Sequence, residues 1–443
     1  MTSTTSTSHN PASAPLRVGY LIPEFPGQTH VWMWREIVHM REAGADLHLF
    51  STRRPPERDK ARHDFAEAAA AETTYLWPMS AGAMLSSLAW AVCTKPLGLL
   101  RAVRWALTLP VEKKPNLKTV LPLVIPACKL ARDVRRRGLS HLHSHTCANS
   151  AVLAMLVKAL QGTPYSLTLN ANIEWWGGAM AEKFGRADFT IAITEWLEVQ
   201  VRRDYPELGD DQVVLGRIGV DTKKWKPSSE ARPKQDALQI ITVGRLHTSK
   251  GYDVLLDALG QLQTDGIAFQ LTMIGDGPDR QDLVDQAEQL GLTGRVTFTG
   301  SLGETQIIDA MRSSDVFVLS SHAEPLGVVS MEAMAMEVAT IATDAGGVGE
   351  IITDDEDGKL VPPGNAQALA GALREMAEDD ALRTRLAQAG RQSIIRNFDS
   401  RRGAATLFER LTGQRPDAML AVLDDDQPAD QLSETPAEVT SHG

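Results

Sequence analysis

Two carboxylates, Glu324 and Glu332, stand eight positions apart in SSHAEPLGVVSMEAMAME, which runs from a strand-like end through a bend into an apolar helix. A carboxylate accepts a charge-assisted hydrogen bond on each oxygen, which suits the vicinal hydroxyls of a sugar or a ribose. Gly327 permits close backbone approach, and the amides of Gly327, Val328 and Val329 open the helix as donors with no intrahelical partner. Such a helix end attracts phosphate through its free N–H groups and its dipole. From spacing alone, a capping acid followed by a solvated helix acid is the simpler account, so other residues must decide.

The stretch VGRLHTSKG (243–251) supplies a complement. It leaves a predicted strand at Gly244 and carries Arg245 and Lys250 in one strand-to-helix loop. Two fixed cations at the carboxyl edge of a sheet suit a diphosphate leaving group, because they stabilise charge as it develops. MIGDGP (273–278) is a second glycine-rich strand exit, and DAGGVGE (344–350) is a flexible loop that ends on Glu350. In the first half, HLHSH (141–145) places His141, His143 and His145 on one side of a strand, as three zinc ligands would lie. No HExxH and no suitably spaced carboxylate accompanies them, so no metal site is expected. His143 or His145, at a strand end, is better read as facing an acceptor cleft, and His141 as structural.

Strands and helices must alternate to carry these loops. The first half reads as a strand at 16–22, a helix near 29–43, a strand at 45–51, a helical stretch from about 80 to 137, the HLHSH strand and further αβ units to about 220. The second half repeats the rhythm from LQIITVG to VATIAT. Two consecutive αβ halves predict an α/β chain of two doubly wound, Rossmann-like domains that face each other across a cleft, with the site at the carboxyl ends of the strands. The predicted boundaries are a lead-in at 1–15, a first domain at 16–220, a Pro- and Lys-rich linker at 221–237 and a second domain at 238–395. A helix at 396–413 follows, expected to return to the first domain, and then a disordered acidic tail at 414–443.

A chain of 443 residues is too long for one core, which agrees with two domains. Three scattered cysteines, Cys93, Cys128 and Cys147, indicate neither a disulfide framework nor a thiolate metal site, and favour a reducing, cytoplasmic setting. The first fifteen residues lack the basic and apolar regions of a signal peptide, and no stretch reaches eighteen uninterrupted apolar residues. The net charge of −11 is unevenly spread: residues 81–118 carry six basic residues against one acid, together with Trp90 and Trp105. A basic amphipathic segment with tryptophans suits an anionic membrane surface, while the alternative is the outer helical layer of the first domain. No nucleic-acid partner is expected.

VGRLHTSKG, MIGDGP, the Glu-x7-Glu run from Glu324 to Glu332, AGGVGEII and GKLVPPGN together resemble glycosyltransferase family 4, retaining enzymes of the GT-B fold, and cover residues 238–395. The resemblance implies that Arg245 and Lys250 hold a nucleotide-sugar diphosphate, that Glu324 contacts the transferred sugar and that Glu332 takes the ribose. It also implies no bound metal and no further cofactor. YLIPEFPGQTHVWMWREI, HLHSHTCANSA and TPYSLTLNANI are similar to the subgroup that builds exopolysaccharides, whose acceptors are often lipid-linked, and place Gly27, His145 and Asn170 on the substrate side. Gly27 is single where many relatives have a Gly pair. Asn170 and Asn172 replace a His and an Asp, and an asparagine cannot titrate as a histidine does. The expected activity is transfer of a sugar to a hydroxyl acceptor, a glycan or a lipid-linked saccharide, in exopolysaccharide or cell-envelope polysaccharide synthesis. The expected location is the cytoplasm, peripheral on the inner face of the cell membrane. Two alternatives are a non-catalytic nucleotide-sugar-binding module and a sugar-nucleotide epimerase, which would need an acid–base pair in the first half.

Overall fold

The computed structural model describes residues 16–228 and 235–424, so the lead-in, the middle of the linker and the end of the tail lie outside the described residues. The first sheet contains β1 (Arg17–Ile22), β2 (Asp46–Ser51), β3 (Thr74–Tyr75), β4 (His141–Ser144), β5 (Tyr165–Leu169), β6 (Thr190–Ala192) and β7 (Val213–Leu215). Its order is β3-β2-β1-β4-β5-β6-β7, and every pairing is parallel. The second contains β8 (Leu238–Val243), β9 (Phe269–Ile274), β10 (Val296–Gly300), β11 (Val316–Leu319), β12 (Ala339–Thr343) and β13 (Lys359–Val361), ordered β10-β9-β8-β11-β12-β13 and again all parallel. β4, β5, β11 and β12 are buried along their whole length, as strands covered by helices on both faces must be.

The chain reverses direction across each sheet between β1 and β4 and between β8 and β11, and these switch points open a crevice at the carboxyl ends of the strands. The loops after β8 and β11 carry Arg245, Lys250 and Glu324. The loops after β1, β4 and β5 carry Gly27, His145 and Asn170. The helix Ser400–Thr412 crosses back and packs against the helix Val31–Glu42 of the first domain, burying Ala404 and Leu407 among Met33, Ile37 and Met40.

Two boundaries differ from the sequence expectation. Residues 417–424 form a helix within the region expected to be a disordered tail, because Met419 is buried, and Leu420 packed, in the core shared by helices 31–42 and 400–412. Residues 221–225 are not a solvated linker. Trp225 is fully buried, and Asp221 accepts the backbone N–H groups of Lys223 and Lys224 in a tight turn.

Candidate functional site

β8 delivers Gly244 and then Arg245, which is exposed and makes no ion pair among the described residues. A short helical turn, Thr248–Lys250, follows. It is stitched to the exit of β11: the His322 N–H donates to the Ser249 carbonyl at 2.9 Å, and the Ser320 hydroxyl donates to the Lys250 carbonyl at 2.9 Å. This brings Lys250 Nζ to 2.5 Å from Glu324 Oε2, which also accepts from the Ser321 hydroxyl at 3.3 Å. The two charges lie 74 residues apart in sequence and meet because β8 and β11 are neighbours.

The backbone of Glu324 is fixed as well. Its carbonyl accepts the Gly347 N–H at 3.1 Å. A Cβ on Gly346, whose φ is +65°, would lie 2.3 Å from that carbonyl oxygen, so only glycine lets the AGGVGE loop close on the EPLG bend. Gly327, at φ +87°, turns the chain into the helix Val328–Ala335, and no side chain caps that helix. Its first-turn N–H groups therefore open toward the Glu324 bend, beside the exits of β8 and β11. Arg245, Lys250, Glu324, Gly244, Gly327, Val328 and Val329 thus gather at one edge of the second sheet.

Glu332 departs from the expectation of an acid in an open cleft. It is only 8% exposed, and its Oε1 accepts from Arg35 Nη2 at 2.7 Å. Arg35 comes from the helix Val31–Glu42 of the first domain and also donates to Glu304 Oε1 at 3.0 Å. Glu304 is shared with Lys224 Nζ at 2.6 Å and Trp225 Nε1 at 3.2 Å, and the Arg35 guanidinium lies 5.5 Å from the centre of the Trp225 ring. Burial pushes the Glu332 carboxyl above its ordinary value, although Arg35 pulls the other way. Burial would raise Glu304 too, but the charges of Arg35 and Lys224 outweigh it and hold that carboxyl low. The physical reason for the departure is packing: Glu332 projects from its helix into the junction between the domains.

In the first domain, His145 is likewise withdrawn from the cleft. It is fully buried, its Nε2 lies 2.9 Å from Glu36 Oε1, and Tyr20 donates its hydroxyl to the same oxygen. The register that sets Tyr20 opposite His143 creates this cluster. Glu36, His143 and His145 bring three donor atoms within 4.8 Å of one another. Both ring nitrogens of His143 are already engaged, by the hydroxyls of Ser166 at 2.9 Å and Thr168 at 3.0 Å, and His141 also lies 2.9 Å from the Ser166 hydroxyl. Asn170 donates to the His145 carbonyl at 3.2 Å. Its Oδ1 and His145 Nδ1 are buried without a partner among the described residues. The Gly27 N–H is spent on His30 Nδ1 at 3.0 Å; burial, with the nearby His145, pulls the His30 imidazole down to about 4.

Sequence reasoning missed Arg35, Glu304, Trp225, Glu36 and the true place of Glu350. The Glu350 carboxylate accepts the N–H groups of Glu195 and Trp196 at 2.8 and 2.7 Å, so it sits at the start of the helix Glu195–Asp204 in the other domain. On the opposite rim, Gln28 and Arg62 donate to the carbonyls of Leu302 and Ser301. A Glu-then-cation pattern within one helix would have been visible, but these pairings join the two domains or, for Glu36, distant segments of the first domain, and carry no local signal.

Residues 223–393 match the family model described as glycosyl transferases group 1. The chain is similar to a glycogen synthase of Mycobacterium tuberculosis, 31% identical over 188 residues, which is 42% of this chain and 45% of that one. It is also similar to LpsE, a lipopolysaccharide core biosynthesis glycosyltransferase of Rhizobium meliloti, 33% identical over 181 residues, 41% of this chain and 51% of that one. The chain thus spans about half the length of these curated relatives. Among solved structures, a glycosyltransferase from Rickettsia africae aligns over 90% of this chain and 99% of its own with a TM-score of 0.67 and 16% identity. Anabaena HepE, solved in complex with UDP, aligns over 90% of this chain and 100% of its own with a TM-score of 0.66 and 17% identity. The two parallel-sheet domains have the GT-B fold, and the second of them carries the group 1 glycosyl transferase match.

Proposed function

We propose that this chain is a retaining, metal-independent glycosyltransferase that moves a sugar from a nucleoside diphosphate to a hydroxyl on a glycan or lipid-linked saccharide, in exopolysaccharide or cell-envelope polysaccharide synthesis. The observation that carries the reading is the Lys250–Glu324 ion pair set beside an unpaired Arg245 and an uncapped helix start, at the switch point of the second sheet. Two cations against one carboxylate leave one positive charge, and the helix dipole adds to it. That is a site for a diphosphate with a sugar hydroxyl in reach of Glu324.

The chemistry then follows from charge. As the bond from the anomeric carbon to the diphosphate oxygen breaks, Arg245, Lys250 and the free amides stabilise the departing anion. The acceptor oxygen bonds to the same face of that carbon, and its proton passes to the diphosphate oxygen that leaves. Glu324 orients the sugar. Glu332 takes the ribose hydroxyls; Arg35 occupies its Oε1 and leaves Oε2 without a hydrogen-bond partner among the described residues. The acceptor enters on the side of Gly27, Asn170 and His145. The group 1 match and the UDP held by HepE support this assignment. The Glu36–His145 pair is the acid–base couple an epimerase would need, but His145 has no exposure through which a sugar could reach it.

A thermal-shift screen of nucleoside diphosphates and their sugars tests the proposal, since a ligand that binds only the folded state raises its melting point. At least one diphosphate is expected to do so, and the matching sugar nucleotide is expected to be consumed when acceptor is added. A panel in which no nucleotide raises the melting point would remove the donor site. Binding without consumption would leave the non-catalytic module as the better account.

A further inference from the structure

The helices Ala81–Thr94 and Pro96–Thr108 form an elbow, bent by 116°, on the outside of the first domain. Neither is long and apolar enough to cross a membrane. Their polarity is inverted for an outer layer. The first helix contains no charged residue, and it buries only the small side chains Ser87 and Ala91, against the helix Val124–Arg137. The second buries Gly98, Ala102 and Ala106 against the helix Asn149–Gln161, so closely that a Cβ on Gly98 would meet the Leu160 carbonyl at 2.0 Å.

Small residues hold the fully buried positions, Trp90, Leu99, Val103 and Trp105 pack partly against the core, and the other large side chains are left outside. Leu85 is 70% exposed, Leu97 80% and Leu100 67%, and Leu88, Val92 and Leu107 are also exposed. Burying six such side chains against water's alternative is a strong drive that the fold leaves unused. The same stretch of chain, 81–118, carries Lys95, Arg101, Arg104, Lys113, Lys114 and Lys118, with Glu112 as its single acid. None of the six cations makes an ion pair among the described residues. The chain leaving the elbow is tied to the loop beyond β5. Val111 bridges Gly178, the Glu112 N–H donates to the Gly177 carbonyl, and exposed Trp175 lies in the same loop. That loop follows Asn170 and Asn172.

We propose that the elbow 81–108, with the basic segment to Lys118, is a docking surface for an anionic lipid bilayer. The leucines enter the boundary between headgroups and acyl chains, and the cations meet the lipid phosphates. A second copy of the chain is the poorer occupant, because a twofold contact through this face would bring six unpaired cations against six more. The docking is independent of the transferase reading, but it would hold the loop beyond β5 at the level of a lipid-linked acceptor.

Cys93 lies exposed on the elbow while Cys128 and Cys147 are buried, so an environment-sensitive maleimide dye reports this face selectively. The full chain, labelled at Cys93, is mixed with phosphatidylglycerol-containing or pure phosphatidylcholine vesicles at low and high salt and then sedimented. Recovery with the anionic vesicles at low salt, a blue-shifted dye and release by salt are expected. The triple variant Leu85→Gln, Leu97→Gln, Leu100→Gln is expected to lose the dye shift and most of the binding. The triple variant Arg104→Gln, Lys113→Gln, Lys114→Gln is expected to bind about a hundredfold more weakly, at roughly fivefold per cation. All six positions are exposed, so unchanged melting points are expected and certify the fold. Equal recovery in the supernatant with both lipids at low salt overturns the proposal, as does undiminished binding by the leucine variant. A dimer in light scattering that the leucine variant dissolves would overturn it too, and would assign the face to self-association.

Discussion

Replacing Arg35 by methionine is the most searching perturbation of the domain junction. Methionine keeps the apolar stem near Trp225 and removes the guanidinium that serves both Glu304 and Glu332. The two acids are then left in different positions. Glu304 retains Lys224 and Trp225, whereas no other hydrogen-bond or ion-pair partner serves Glu332 among the described residues. A buried ion pair broken from one side costs about 3–5 kcal/mol, because the remaining charge is uncompensated. Protonation sets a ceiling. Neutralising a carboxyl with an ordinary value of 4.5 at pH 7 costs about 3.4 kcal/mol, at about 1.36 kcal/mol per pH unit. The loss at pH 7 is therefore about 3 kcal/mol. At pH 5 the same neutralisation costs only about 0.7 kcal/mol. The sign is fixed by burial: with its folded value raised, Glu332 favours the folded state when protonated, so the deficit shrinks as the pH falls. Glu332→Gln leaves Arg35 paired with Glu304 and costs less, about 1–1.5 kcal/mol. The double variant Arg35→Met, Glu332→Gln is more stable than Arg35→Met alone. Urea unfolding of the four proteins at pH 7 and pH 5 measures each term. A loss below about 1 kcal/mol at pH 7 for Arg35→Met, or one that does not shrink at pH 5, refutes the reasoning, and so does a double variant no better than the single one.

Glu324→Gln should leave the melting point within a degree or two and lower turnover by about 10- to 150-fold, the kinetic equivalent of 1.5–3 kcal/mol for a contact to a charged group; full activity would remove Glu324 from the site. Arg245→Ala and Lys250→Ala should each raise the inhibition constant of the free nucleoside diphosphate as well as impair donor use, and inhibition that stays unchanged while activity falls would place them elsewhere. Gly346→Ala puts a Cβ 2.3 Å from the Glu324 carbonyl in a left-handed conformation, so it should displace the Glu324 bend and abolish donor-induced stabilisation, which a thermal-shift titration reads directly. Burial pulls both His30 and His141 down to about 4, so the unfolded chain binds protons that the folded chain refuses between there and 6.5. Stability should therefore fall as the pH drops from 6.5 to 5, by about 1.6 kcal/mol for each group, and a urea midpoint that stays flat over that range would contradict their burial as neutral rings.

The second half was legible because its strands are predominantly apolar, β-branched-rich runs, most of them followed by glycine-containing exits, a pattern that largely buried parallel strands require. β8, β9, β11 and β12 follow LQIITV, FQLTMI, VFVL and ATIAT without ambiguity. Lys250 and Glu324 were each readable as loop charges at a strand exit. Their contact became definite only with the strand order, since a crossover between β8 and β11 joins segments 74 residues apart. The outer elbow misleads for the opposite reason. A helical repeat of leucines is ordinarily taken to face inward, but here the alanine and glycine positions pack most deeply against the neighbouring helices and turn most of the leucines out. Periodicity identifies two faces of a helix, and the size of the neighbours decides which one is buried.

The domain junction was the least legible part, and its chemistry explains why. In VWMWREIVHMRE the apolar positions Trp32, Ile37 and Met40 define a face, and Arg35 and Glu36 read as its solvated complement. The fold reverses that reading by burying both charges, Glu36 within its own domain and Arg35 against the other. Glu36 finds His145 and Tyr20, and Arg35 finds Glu304 and Glu332, whose positions are 269 and 297 residues away. An apolar residue can be assigned to a core from its own identity, because burial suits it anywhere. A buried charge is tolerable only where its particular partner arrives, so it cannot be assigned until the partner is known. The same dependence makes the junction informative about function: Glu332, the acid proposed for the donor ribose, is held by the opposite domain. A ligand that displaces Arg35 from the Glu332 Oε1 therefore also alters a contact between the domains.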